Sequence, residues 1–354
     1  MTAAAPDRPK GLFAKLFEPK RLGIMAPGTS VLVYAGLFFW TIVVLFPLYW
    51  LLVTSFKIPL DVNQGPRYIP FVDYEPSLHA WEYLLVEVGG DTFRPYVNSV
   101  IIAAVSTILA VLAGSMAAYA LARISYKPRF SSILSFVVGI IAVIVLTVAA
   151  GVPWWLSLIV GLVIFALLAR TVARRFNARL GNGDILFWMI SQRILPPVIV
   201  AVPVYVMFQR IGLLDTHIAM IITYATVNLP IVVWLMHDFF LSIPRDLDES
   251  AEMDGASKFQ IFFDIVMPLA KPGIAATSLL VLVLAWNEYL LALFLSSVDA
   301  QTMPLLVAAQ NATRGPQWWS MSVLILLMII PVVLIALALQ RFIAKGLLVG
   351  AVKG

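Results

Sequence analysis

The chain has 354 residues, of which 61% are hydrophobic and only 12% charged. A soluble domain carries about a quarter of its residues as charged side chains, so composition excludes a soluble globular protein and points to a chain of many membrane spans. The net charge of +5 does not argue for nucleic acid, because the basic residues fall between apolar runs as topology requires, and the absence of cysteine excludes disulfides and Cys-based metal sites.

Residues 1–29 form a basic arm with Arg8, Lys10, Lys15, Lys20 and Arg21, and an interfacial helix is expected over Leu12–Phe17. No signal-peptidase pattern follows, since the first apolar run is long and lacks a small-residue cleavage site. That run predicts a span over Ser30–Val53, with Pro47 near its far end. Residues 57–95 are polar and rich in Pro, Gly and aromatics. They read as an external loop, either a contact for another protein or a plain connection. A second span is expected over Tyr96–Ala122, where Ala110, Gly114, Ala118 and Ala122 make a small-residue stripe suited to close helix packing.

Arg123, Lys127 and Arg129 precede two shorter apolar runs, Ile133–Ala150 and Trp154–Ala169, joined by Gly151-Val-Pro153. Such helices reach about 24–27 Å at 1.5 Å per residue, slightly short of the ~30 Å hydrocarbon core. Residues 131–170 therefore read as a hairpin of two thin spans or as a re-entrant hairpin. Arg170, Arg174, Arg175 and Arg179 follow it. A third core span is expected over Ile185–Phe208, a fourth over His217–Phe240, a fifth over Gly273–Ser296 and a sixth over Trp318–Leu339. Prolines inside the third, fourth and sixth are static kinks or bending points. Segments placed inside by this topology hold most of the basic residues. Those outside hold only Lys57, Arg67, Arg94, Arg210 and Arg314, so both termini are expected in the cytoplasm.

The fourth and fifth spans are joined by a polar island, residues 241–272. Pro244 and the carboxylates Asp246, Asp248 and Glu249 read as a helix start, where the helix dipole favours negative charge. Gly255 reads as a sharp bend. Phe259, Phe262, Phe263 and Val266 then recur at helical spacing until Pro268 is expected to stop the run. The expected product is two short helices at an elbow, one face charged and one aromatic.

No phosphate loop of the Gly-x-x-x-x-Gly-Lys-Ser/Thr type is present. His79, His217 and His237 are too scattered for a metal site. No catalytic residue, metal or bound cofactor is expected of this chain. The intramembrane polar residues are the candidates for a substrate path: Arg193, Asn228, Trp286, Asn287, Glu288 and Tyr289. In one reading Asn287 and Glu288 accept hydrogen bonds from substrate hydroxyls and Trp286 or Tyr289 offers a ring face. In the other, Glu288 pairs with Arg193 or a backbone donor and fixes packing.

Glu249-Ser250-Ala251, Asp254-Gly255, Ile265 and Pro268 resemble the EAA loop of importer-type ABC permeases, with Ser250 in place of the first alanine. Asn98-Ser-Val, Ala118-Tyr-Ala-Leu-Ala-Arg123, Trp286-Asn-Glu and the tail with Gln340-Arg341, Gly346 and Gly350-Ala-Val-Lys353-Gly354 resemble the MalG-like carbohydrate branch of that family. The resemblance implies an all-α polytopic fold: a six-helix permease core over 30–354 with the 131–170 hairpin as an insertion and a tail over 340–354. It implies that Glu249, Ser250, Ala251, Met253, Asp254, Gly255, Ala256 and Phe259, with Gly350, Lys353 and Gly354, meet an ATPase subunit. It implies a second homologous permease, two ATPase subunits carrying ATP and Mg, and an extracytoplasmic solute-binding protein at a bacterial inner membrane. The expected cargo is a neutral carbohydrate or polyol, moved by alternating access. The alternative from another class is an ion-coupled secondary transporter, which calls for internal repeats and helices broken at the midplane.

Overall fold

The computed structural model describes residues 26–125, 127, 129–171, 179–312 and 315–351, with the backbone alone for 312 and 341–351. The expected helix at Leu12–Phe17, Arg174, Arg175, Lys353 and Gly354 lie outside the described residues. The helices are α1 Pro27–Ser55, α2 Gly89–Arg123, α3 Phe130–Val148, α4 Trp154–Thr171, α5 Asn182–Ser191, α6 Pro197–Ile211, α7 His217–Leu241, α8 Asp246–Met253, α9 Lys258–Leu269, α10 Lys271–Trp286, α11 Leu290–Leu295 and α12 Trp318–Ala351. Among the described residues, 6 helices are long and apolar enough to cross a membrane, or up to 8 if each bent pair counts as one span. The chain divides into two compact units, 1–82 with 317–326, and 83–316 with 327–354.

In the first unit the segment after α1 is a folded cap rather than an open loop. Tyr74 donates its hydroxyl to Val53 O at 3.0 Å, and Trp81 Nε1 donates to Ser55 Oγ at 3.3 Å. Lys57 is buried over the Trp50 and Tyr74 rings, 4.8 and 5.1 Å from their centroids, and donates to Arg67 O. Asp73 accepts from the Tyr68 and Ile69 amides, which hold its carboxyl below the usual carboxylate range.

The second unit is built on α2. This helix starts at Gly89, earlier than expected, and its 35 residues run for about 52 Å. It is longer than the ~30 Å membrane core, so it projects past it. Its small-residue stripe is buried as predicted: Ala110, Gly114, Ala118 and Ala122 all face inward, and α7 packs along it. One apolar cluster joins Tyr119 of α2, Phe240 of α7 and Phe262 of α9. A second joins Ile102, Tyr224, Trp286 and Leu295 nearer the other end of α2.

Two of the expected spans are broken. The third bends by 89° between residues 182–194 and 197–211. Pro196 and Pro197 cause this, because neither has an N–H to extend the helix and each disfavours helical geometry in the residue before it. The fifth stops at Trp286 and restarts at Leu290, with Asn287-Glu288-Tyr289 as the break.

Helices α3 and α4, with 19 and 18 residues, pack against each other as a hairpin. Gly139 meets Gly161 where the two helices touch, Ser131, Ser135 and Ser157 are also buried, and Phe136 meets Phe165 edge to face at 5.6 Å. A side-chain carbon at Gly161 would sit 2.8 Å from the Gly139 carbonyl oxygen, a backbone atom that cannot swing away. Gly161→Leu is therefore expected to pry the hairpin apart, with overpacking of this kind costing about 1–3 kcal/mol or more. The chain has no native cysteine, so a Phe136→Cys/Phe165→Cys pair can report it. Its disulfide yield should fall severalfold in the Gly161→Leu background.

Candidate functional site: the elbow and the polar breaks

Helix α8 begins as the sequence predicts, with Asp246, Asp248 and Glu249 in its first turn. It ends in a Schellman motif. The Gly255 amide donates to Glu252 O and the Ala256 amide to Ala251 O, both at 3.0 Å, and Gly255 has φ +86°. The half-buried Ala256 and buried Ala251 pack on the same apolar cluster. Helix α9 then starts with a capping box: Ser257 Oγ accepts from the Gln260 amide and Gln260 Oε1 accepts from the Ser257 amide. A π-helical turn over Ile261–Val266 follows. The run ends one residue past the expected stop at Pro268. The helix continues to Leu269 and the chain turns by 82° into α10, ahead of Pro272.

The elbow has two faces, but not the two expected. Phe262 is buried against Tyr119 and Phe240, whereas Phe259 and Phe263 are exposed, so the aromatic run splits. Ala251 also points inward, which removes it from the exposed surface. Glu249, Ser250, Met253, Asp254, Gly255 and Phe259 are exposed, Met253 at 89% and Phe259 at 65%. Two large apolar side chains are thus left exposed at the tip of a charged knuckle, an arrangement suited to a docking surface.

The elbow is fastened to the C-terminal end of α2 by side chains whose pairing no sequence pattern revealed. Arg123 and Asp248 form an ion pair with only 8% and 7% of their side chains exposed. Tyr119 donates to the same carboxylate at 3.4 Å, and Arg123 also donates to Ile243 O at 3.0 Å. The last carbonyls of α2, which have no partners within the helix, are capped from outside. Arg245 donates to Ala122 O at 2.9 Å, and Asn182 Nδ2 donates to Leu121 O and Ile124 O at 2.6 and 2.7 Å. A groove of about 440 Å³ lies alongside, lined by Met116, Tyr119, Arg123, Glu249, Glu252 and Phe259 among others.

The opposite end of α2 is fastened as well. Asn98 Nδ2 donates to Asp299 O and Gln301 O at 2.9 Å, its Oδ1 meets His217 Nε2 at 2.8 Å, and Ser99 Oγ accepts from the Met303 amide at 2.8 Å. Beside it, Asp215 takes a left-handed conformation at φ +59° and accepts from the amides of Ser297, Val298, Asp299 and Ala300 and from the Ser297 hydroxyl. Burial alone would raise this carboxyl, but the backbone amides outweigh it and hold it well below the usual range. A depressed aspartate stabilises the fold above its unfolded value, about 3.9, and that contribution is lost as pH falls through the lower folded value. Asp215→Asn is therefore expected to melt a few degrees below the parent at pH 7 and at pH 5. The gap should narrow only below about pH 4, which a pH series of thermal melts would show.

The candidate pathway residues lie at or beside the two helix breaks, except Asn228, which comes from the unbroken α7. Arg193 donates to Asn228 Oδ1 at 2.6 Å, and Asn228 is buried. Glu288 does not form the direct ion pair with Arg193. Its Oε1 accepts from the Leu291 amide at 3.0 Å and so starts α11, while its carbonyl accepts from Tyr224 at 3.2 Å. Trp286 is buried, edge-on to Tyr96 at 6.0 Å and donating to Met328 O at 3.2 Å, so its ring is used in packing and is no open face. Asn287 and Tyr289 are exposed. Gly350 lies in the C-terminal part of α12.

Residues 162–349 match the family model described as the binding-protein-dependent transport system inner membrane component. The probable ABC transporter permease protein y4oR of Sinorhizobium fredii is 30% identical over 320 residues, 89% of this chain and 94% of that protein. The trehalose/maltose transport system permease protein MalG of Thermococcus litoralis is 28% identical, covering 92% of this chain and 97% of that one. The trehalose transport system permease protein SugB of Mycobacterium tuberculosis is 29% identical, covering 88% and 93%. In fold, the chain is similar to a chain in the crystal structure of a bacterial ABC transporter involved in the import of the acidic polysaccharide alginate. That likeness has a TM-score of 0.58 at 20% identity and covers 89% of this chain and 96% of that one. This chain belongs to the binding-protein-dependent inner membrane component family, and is a multi-pass permease subunit of an ABC importer.

Proposed function

We propose that this subunit imports a neutral carbohydrate or polyol by alternating access, driven by ATP hydrolysed on separate subunits. The observation that carries the reading is the exposed knuckle of Glu249, Met253, Asp254 and Phe259, set on a buried fastening to α2. Its partners in this reading are a second homologous permease, two ATPase subunits that hold ATP and Mg, and an external solute-binding protein. The elbow and both termini face the cytoplasm, with Gly350, Lys353 and Gly354 reaching the ATPase pair. The 131–170 hairpin is an addition to the six-helix core.

Force on the knuckle passes to α2 through Arg123–Asp248 and the capped carbonyls of Leu121 and Ala122. The long helix, fastened at its C-terminal end and again at Asn98, then transmits it toward the Asn98–His217 clamp. Two packings differing by a few kcal/mol suffice for such a switch. The interrupted helices leave polar side chains between their halves. Arg193, Asn228, Asn287, Glu288 and Tyr289 line the solute path in this reading, with Trp286 supporting it from behind. A neutral cargo is supported by the balance of one cation and one carboxylate there, and the carbohydrate class by the sugar-named relatives.

The test is uptake of labelled neutral oligosaccharides and polyols into proteoliposomes holding the whole complex and its binding protein. ATP sealed inside should drive accumulation and a proton gradient should not. Accumulation that follows the proton gradient and ignores ATP would overturn the proposal.

A further inference from the structure

At the tip of the α3–α4 hairpin lies a cavity of about 380 Å³, lined by Thr147, Val152, Trp154, Trp155 and Arg210 among others. It is far from the elbow in sequence, and the importer mechanism gives it no task. Arg210 comes from a different element, the end of α6, and reaches across to the hairpin. Among the described residues its guanidinium makes one hydrogen bond, a long one of 3.5 Å to Val148 O, and has no carboxylate within ion-pair range. No acidic residue lines the cavity. An exposed cation with five donors and no carboxylate partner thus stands at the mouth of a recess walled by two half-exposed indoles.

The depth of this recess follows from helix length. At 1.5 Å per residue the two helices span about 27–29 Å, close to the ~30 Å hydrocarbon core. Arg129 and Arg170 mark the base of the hairpin. The tip therefore lies at the headgroup level of the opposite leaflet. Tryptophan concentrates at that level, with its ring among the glycerol groups and its N–H toward water. Basic pockets between membrane helices on the cytoplasmic side bind lipid phosphates, and the same chemistry is open to a guanidinium in the other leaflet, because its fork matches two phosphate oxygens.

We propose that this recess holds the phosphodiester headgroup of an anionic membrane lipid. Arg210 takes the phosphate, and Trp154 and Trp155 pack on the glycerol and the first acyl carbons. The bound lipid would tie the hairpin tip to α6, whose other end carries the Pro196–Pro197 break.

The experiment uses the assembled transporter in detergent. Short-chain phosphatidylglycerol, short-chain phosphatidylcholine or inorganic phosphate is titrated while hydrogen exchange of a peptide covering residues 145–156 is followed. Phosphatidylglycerol should protect the peptide, and the half-saturating concentration should rise about fivefold in Arg210→Gln and less in Arg210→Lys. Unchanged exchange of the 246–256 peptide confirms that both variants are folded. The proposal is overturned if Arg210→Gln titrates like the parent. It is also overturned if phosphatidylcholine protects equally, or if inorganic phosphate alone does, which would make this a free-phosphate site.

Discussion

Replacing Gly255 by proline is expected to reduce ATP-driven uptake to background while the protein still inserts and assembles in the membrane. The reason is local. Gly255 sits at φ +86° and its amide closes the Schellman turn onto Glu252 O. Proline is fixed near −65° and has no amide hydrogen, so it can satisfy neither demand. Space is not the issue, because a β-carbon at this position would meet nothing within 4 Å. Gly255→Ala consequently isolates the conformational term, about 1 kcal/mol for a left-handed residue, and should leave partial uptake. Glu249→Lys tests the exposed face instead, reversing charge at the helix start without touching the turn. Uptake and ATPase stimulation measured together decide the matter. Normal transport by both Gly255→Pro and Glu249→Lys would refute the coupling role of the elbow.

Breaking the Arg123–Asp248 pair is expected to have the second-largest effect. Removing one partner of a buried ion pair strands the other charge, at a cost of about 3–5 kcal/mol. Arg123→Met and Asp248→Leu should each lower the yield of assembled transporter sharply. The double variant removes both charges and should recover assembly, since an apolar pair can fill the same space. It should still move fewer solute molecules per ATP, because the hold on Ile243 O and on Tyr119 is gone and the knuckle can slide on α2. Recovery of full coupling by the double variant would mean that the fastening is only packing.

The ion-coupled alternative called for helices broken at the midplane, and two spans are indeed broken, at 192–196 and 287–289. Broken helices are not specific to that class. They follow here from Pro196-Pro197 and from the Glu288 cap on α11, and membership of the importer family decides between the classes.

Much of the elbow was legible because its determinants are local. Carboxylates in the first turn of α8, a glycine at the left-handed position and an apolar rhythm afterwards all act within a few residues. The spans were legible for the same reason, since roughly 20 apolar residues in a row have few other uses. Their breaks at Pro196 and at Glu288 were not. Proline is tolerated in membrane helices when neighbours satisfy the freed carbonyls, and nothing in the surrounding sequence says whether they will. The buried position of Trp286 was equally hidden. Its ring was free to face a cavity or Tyr96, and only the approach of α2 decided it.

By itself the sequence determined the class, the order and approximate limits of the spans, and the position of the knuckle. Each of these depends on hydrophobicity or backbone geometry over short stretches. The tertiary structure alone decided what the knuckle is attached to and which polar residues are paired. Arg123 and Asp248 are 125 positions apart, Asn98 and Asp299 are 201 apart, and Asp215 meets the loop that starts at Ser297, 82 positions on. A lone arginine or aspartate at the edge of a span looks the same in sequence whether it meets water, lipid or a partner. The energy that distinguishes these cases comes from desolvation and pairing across the fold, and those terms exist only once distant helices have packed.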